Sequence, residues 1–272
     1  MCSVRSLLRR TRLLCLLGLF LAPSPALHAQ PAGAPEHAVT MADTLALAGA
    51  EGLYVENYKG SITVTTWDRP SVAYHARIVA EDLDGQMMLP EIKIQVTRDE
   101  DGQLSLVTNY RKALRAMQRL YPDLQQYSLP PVHYVITMPR TMPLKIDDYM
   151  SEIDVTGLGA DLEIYTYKGH VAVTDLDGTI KLDMFMGRAD IGIRTLTGDS
   201  VIDTYESNVD VRLPQDAAFD LALDLGALCT LMDFGFNLTD RGKAPPKLNP
   251  INGGGPQLHL SNHSGFLRLY AQ

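Results

Sequence analysis

With 272 residues, 46% of them hydrophobic, the chain can bury a large core, and this argues against disorder over most of its length. The length suits one large β domain better than several small ones. A net charge of −8 makes nucleic acid a poor partner for the surface.

At the start, Arg5, Arg9, Arg10 and Arg12 precede the apolar run Leu13 to Leu21, and Pro23, Pro25 and small residues follow. This order predicts a signal peptide over residues 1–29, cleaved after Ala29, with Ala26 as the alternative site. The apolar run is far shorter than the roughly 20 residues a membrane-spanning helix needs, so the mature chain is expected to lack a transmembrane segment and to lie outside the cytoplasm. Cys15 lacks the small residues that precede a lipoprotein cysteine, and Arg9-Arg10 matches a twin-arginine signal poorly beyond the pair itself. Cleavage removes four of the 24 basic residues and no acidic ones, leaving 20 against 32, a charge of −12. It also removes Cys2 and Cys15, so Cys229 remains alone and no internal disulfide is expected. Leu228 and Leu231 beside it suggest a buried thiol.

Residues 30–45 are expected to form a flexible leader, most plainly over Gln30 to Glu36 with its Pro, Gly and Ala, before a single β-repeat domain over residues 46–272. The domain opens with Val55, Tyr58, Gly60, Ile62, Val64 and Trp67, apolar residues alternating on both sides of a glycine. From 68 to 143 the spacing changes, yet strand patterns persist at Val72 to Ile78, Ile92 to Val96 and Val132 to Ile136. Within this region Tyr110 to Tyr121 predicts a helix ended by Pro122. Leu114, Met117, Leu120 and Tyr121 share one face, and Arg111, Lys112, Arg115 and Arg119 lie mostly on the other. That basic face reads as the solvated side of a capping helix.

The opening pattern then recurs. Ile146, Tyr149, Ser151, Ile153, Val155 and Leu158 return 18 residues later as Ile164, Tyr167, Gly169, Val171, Val173 and Leu176. Further copies run Leu182, Phe185, Gly187, Ala189, Ile191 and then Ile202, Tyr205, Ser207, Val209, Val211. A weaker copy is Leu221, Gly226, Leu228, and Leu260, His263, Gly265, Leu267, Leu269 close the chain. Each unit reads as two short strands around a Gly or Ser turn, with a second turn at Gly159, Gly178 or Gly198. A unit of 18 to 20 residues cannot bury its own apolar stripe, but stacked units share one interior. The expected fold is therefore all-β, a β-solenoid of such rungs with one helical insertion near 110–121. The alternative is a twisted antiparallel β-sandwich of hairpins.

Three segments carry a family resemblance: Val55-Glu56-Asn57-Tyr58-Lys59-Gly60-Ser61-Ile62-Thr63-Val64-Thr65-Thr66-Trp67-Asp68, Val132-His133-Tyr134-Val135-Ile136-Thr137-Met138-Pro139-Arg140, and Gly253-Gly254-Gly255-Pro256 with Leu258, Leu260 and Gly265. In this order they resemble the putative adhesin domains of bacteria, from about residue 50 to the C-terminus. The resemblance implies an extracytoplasmic β-helical domain without an established activity. The helix at Tyr110 is larger than that family leads one to expect.

The chain has no Gly-x-Ser-x-Gly, no His-Glu-x-x-His and no phosphate loop, since Gly253-Gly254-Gly255 lacks the Lys and Ser or Thr that would follow. His37, His75, His133, His170, His259 and His263 are scattered, and on a strand the four-residue gap between the last two separates their side chains. Asp175-x-Asp177-Gly178 resembles the start of a calcium loop without the remaining ligands, and reads first as a turn. Asp147, Asp183 and Asp203 share one repeat position, with Lys181 and Arg188 as the only plausible basic partners of an acidic stripe. The ring column Tyr149, Tyr167, Phe185, Tyr205 reads as a corner stack rather than a sugar platform. No catalytic, cofactor or metal-ligating residue is nominated. The expected role is a secreted or envelope-associated binding scaffold contacting a surface protein or glycan, and the alternative is a carbohydrate-active β-helix enzyme using the acidic face.

Overall fold

A computed structural model describes residues 37–123, 127–225, 230–234 and 248–272. The expected signal peptide, Cys229, and the Gly226 and Leu228 of the weaker copy lie outside the described residues. In chain order come β1 (Ala38–Ala46), β2 (Gly52–Trp67), β3 (Ser71–Val79), α1 (Leu83–Met88), β4 (Lys93–Arg98), β5 (Gln103–Asn109), α2 (Arg111–Leu120) and β6 (Val132–Pro139). The long strands β7 (Leu144–Thr156), β8 (Leu162–Gly178), β9 (Ile180–Leu196) and β10 (Ser200–Leu213) follow. Then come β11 (Phe219–Leu225), β12 (Thr230–Met232), β13 (Asn249–Ile251), β14 (Gln257–Ser264) and β15 (Leu267–Ala271). The fold is all-β, and the described strands join one sheet.

The copies found in the sequence pair parallel and in register, so they do not form antiparallel hairpins. Val55, Ile146, Ile164, Leu182, Ile202 and Leu260 lie opposite one another in successive strands, and all six are fully buried. Val64, Val155, Val173, Ile191, Val211 and Leu269 make a second such column. Burying each of these side chains contributes about 1.5–3 kcal/mol. Period-two alternation explains the rest: Lys181 and Asp183, flanking Leu182, point to solvent.

Each unit was expected as two short strands, yet β8 and β9 run unbroken through Gly169 and Gly187. The strand bends there without losing its ladder because a side chain is missing. At Gly187, whose φ is +135°, a Cβ would stand 2.0 Å from the carbonyl oxygen of Gly169 in the preceding rung. Gly178 serves the second corner for a steric reason, since its Cβ would meet Ala160 O at 2.1 Å.

The leader also ends earlier than expected. Residues 38–46 form β1, antiparallel to β3 from Ala38 opposite Val79 to Ala46 opposite Ser71. Here Val39, Met41 and Leu45 alternate inward against the core, a pattern hidden by their small and polar neighbours. At this end the sheet forks: β2 pairs with β5 along its first half and with β6 along its second. α1 and α2 accompany the fork, burying Met88, Ala113 and Met117. Of the four residues that the sequence sets on one face of this helix, Met117 is buried, whereas Leu114, Leu120 and Tyr121 stay exposed. β5 and α1 escaped the sequence pattern, although Asp82 caps α1 by accepting from Gly85 N–H at 2.6 Å.

At the other end chain order and spatial order part. β14 and β15 pair parallel with β10 on one side and with β11 and β12 on the other. The last rung of the chain is thus inserted between two earlier ones. Among the described residues, no helix is long and apolar enough to cross a membrane.

Candidate functional site

In six rungs a polar or sulfur-bearing residue turns inward just before an aromatic ring turns outward. The outward rings are Tyr58, Tyr149, Tyr167, Phe185, Tyr205 and His263, one more at each end than the column seen in the repeats. Successive centroids lie 4.9, 4.9, 5.0, 4.9 and 4.5 Å apart, with planes within 10° of parallel. That is the rung spacing itself, so sheet geometry sets the stack. Tyr110 closes one end, its ring edge-on to Tyr58 at 6.4 Å. Each inner ring is sandwiched between neighbours, so the ribbon shows solvent its edges and hydroxyls rather than its faces. A sugar that binds by lying flat on a ring face finds none open within the stack.

The inward neighbours form a buried column of Asn57, Asp148, Thr166, Met184, Thr204 and Asn262. Asp148 accepts from Ser151 N at 2.7 Å, Ser151 Oγ at 2.6 Å and Thr166 Oγ1 at 3.3 Å. Burial pushes its carboxyl up to about 6 despite these donors, because all of them are neutral. Asn57 donates to Lys59 O, Val132 O and Ser151 Oγ, each at 3.2 Å. It also accepts from Thr108, which bonds Tyr134 OH at 2.7 Å. The signal was in the sequence: the residue before each ring is usually Asn, Asp or Thr.

The acidic stripe is real but broken. Glu56, Asp147, Tyr165, Asp183, Asp203 and Ser261 occupy the position, and Asp224 lies opposite Ser261 in the next rung. Tyr54 donates its hydroxyl to Glu56 at 3.1 Å and Asp147 at 3.4 Å. Lys181, offered as a basic partner of the stripe, places its Nζ 5.2 Å above the Tyr165 ring, with Lys145 at 5.3 Å. Arg188 lies beyond the Gly187 bend and never joins Asp183; it binds Asp190 at 2.6 Å and Asp210 at 3.2 Å. Asp183, Asp203 and Asp224 do share a depression of about 310 Å³ with Phe185, Tyr205 and His263.

The chain matches no protein-family model and no curated protein. Among solved structures, the crystal structure of a putative cell adhesion protein from Clostridium sporogenes is similar over 87% of this chain and 100% of its own, with a TM-score of 0.45 and 9% sequence identity.

Several of the remaining titratable residues link rungs. Asp190 also binds His170 at 2.8 Å, and Arg268 reaches the buried Asp210 at 2.6 Å. Arg188, foremost, holds the Asp190 carboxyl below the usual carboxylate range. This network was not anticipated, though Asp190 and Asp210 share one repeat position. Asp177 accepts from both Arg140 and Arg194, whose guanidiniums, Arg194 foremost, lower its carboxyl to about 2. The carboxylate of the suspected calcium turn is therefore spent on arginine. His263 stacks on Tyr205, and along the extended β14 it stands roughly 13 Å from His259. Among the described residues, no three His, Cys, Asp or Glu side chains gather as a metal site.

Proposed function

We propose that this chain is an extracytoplasmic β-solenoid that binds a surface partner without catalysing a reaction, an adhesin-like scaffold as the sequence resemblance implies. The observation that carries the reading is the ring ribbon, an array repeating at one rung's spacing, beside an interrupted row of carboxylates. A regular array offers many weak contacts along a line, which suits adhesion to an extended partner better than capture of one small molecule. Covered ring faces favour a protein surface over a face-stacked glycan. Asp177, Asp190 and Asp148, the carboxyls with the most altered acidity, are each held by cross-rung or corner partners, which supports a structural use for them.

Two measurements test this. Immobilised extracellular proteins and glycan arrays should reveal saturable binding to proteins that the double variant Asp183→Lys/Asp203→Lys loses, with no turnover on glycan, ester or peptide panels. Turnover abolished by a single Asp→Asn change would overturn the proposal. For location, mass spectrometry of the native N-terminus should find Gln30, and an intact Met1 would refute export.

A further inference from the structure

A β protein must protect the edges of its sheet, because unpaired N–H and C=O groups recruit other strands. Among the described residues the sheet ends in β4 and β1 at one end and in β12 and β13 at the other. Three of these edges are blunted. β12 and β13 are three residues each, with Pro250 inside β13, and β4 begins with Lys93 and ends with Arg98. β1 is protected only at one end and on its inward side, where Arg98 donates to Ala46 O at 3.0 Å and Asp43 lies in line with Val39, Met41 and Leu45. It runs nine residues without Pro, Lys or Arg, and its register against β3 is continuous, with no bulge to twist it away. Its single charge is Asp43, which accepts from Thr44 N at 2.7 Å.

The composition of β1 names the strand that fits it. Its outward side chains, Ala38, Thr40, Ala42, Thr44 and Ala46, are all exposed and read the same in both directions about Ala42. On the inward side Val39 and Leu45 are equally distant from Ala42, and both are only partly buried. An antiparallel copy of β1 centred on Ala42 would set Thr40 opposite Thr44, Val39 opposite Leu45 and Ala38 opposite Ala46. Thr–Thr and aliphatic pairs are favourable across antiparallel strands. Met41 against Asp43 is ill-matched, and the outermost pair, Ala38 with Ala46, forms only where Arg98 releases Ala46 O.

We propose that the free edge of β1 is a self-association surface, on which a second copy of this chain adds its own β1 antiparallel about a two-fold axis through Ala42. The two sheets then become one, and Val39, Met41 and Leu45 gain cover from the partner. Such an interface is isologous and closes at the dimer. It rests on a strand-length contact, so the association is reversible and falls on dilution.

In the dimer residue 42 faces itself, and this gives the test. Ala42 is exposed in the single chain, so Ala42→Lys and Ala42→Glu leave the fold intact while placing like charges opposite one another. Light scattering after size exclusion, over a dilution series, should give the parent protein twice the chain mass at the concentrated end. Either variant alone should remain at the single-chain mass, and an equimolar mixture of the two should recover the doubled mass. A parent that stays at single-chain mass throughout overturns the proposal. So does an Ala42→Lys variant that associates like the parent, or a mixture that fails to recover the dimer.

Discussion

Asp148 lies directly opposite Asn57 in the adjacent parallel rung, at the same buried corner position, and the two share Ser151 as a partner. One side chain is neutral at every pH, while the other must ionise in a site that disfavours charge. With a folded value near 6 against an ordinary 3.8, protonated Asp148 is the better-tolerated form. Its contribution to stability is therefore full below pH 3.8 and lost as pH rises through about 6. Asp148→Asn should raise stability at pH 8 by about 1–3 kcal/mol and flatten the decline in melting temperature between about pH 4 and pH 7. A variant that melts lower than the parent at pH 8 would show that the charge is compensated.

Asp177 has the opposite sign. Its lowered carboxyl contributes stability above pH 3.8, and the contribution disappears as pH falls toward about 2. Because Arg194 is half exposed, the loss in Asp177→Asn should be modest, about 1 kcal/mol. Two guanidiniums on one carboxylate also leave it poorly disposed to a cation, so millimolar calcium should leave the melting temperature unchanged. A calcium-dependent rise that Asp177→Asn abolishes would reinstate the calcium turn.

The parallel rungs were legible because one period governed both side-chain faces. Ile146 and Ile164, 18 residues apart in sequence, stand opposite each other in β7 and β8. Where the period broke, legibility fell. Leu104 and Leu106 lie in β5, whose third inward residue is the polar Thr108 and whose outward Val107 breaks the apolar-polar alternation in the sequence, and β1 hid behind Ala and Thr. The insertion of β14 between β10 and β11 was invisible in principle, because parallel copies of one motif are interchangeable in sequence. For the site, the ring column was evident, whereas the separation of Arg188 from Asp183 depended on the Gly187 bend.

Register itself can be tested by three substitutions. Val173 is buried opposite Val155 and Ile191, so Val173→Asp places an unpaired charge in the core and should cost about 3–5 kcal/mol. Asp183 points to solvent, and Asp183→Asn should fall within about 0.5 kcal/mol of neutral. Gly178→Val should be harmful because its branched side chain collides with the Ala160 carbonyl. Thermal melts that reversed the first two results would invert the assignment of strand faces.

The ring ribbon admits two roles that one series of variants separates. Tyr167 stacks between Tyr149 at 4.9 Å and Phe185 at 5.0 Å. Tyr167→Ala removes both stacked contacts and should cost about 1–3 kcal/mol, at the usual worth of an aromatic pair. Tyr167→Phe keeps the ring and repeats what Phe185 already shows the column accepts, so its stability should stay within about 0.5 kcal/mol of the parent. A ribbon that only braces the corner would make the Phe variant indistinguishable from the parent in every assay. A ribbon that also binds through its outward edges should lose affinity when Tyr149, Tyr167 and Tyr205 are all changed to Phe, with the melting temperature unchanged. Retained binding by that triple variant would move the contact to the neighbouring carboxylates Asp183 and Asp203.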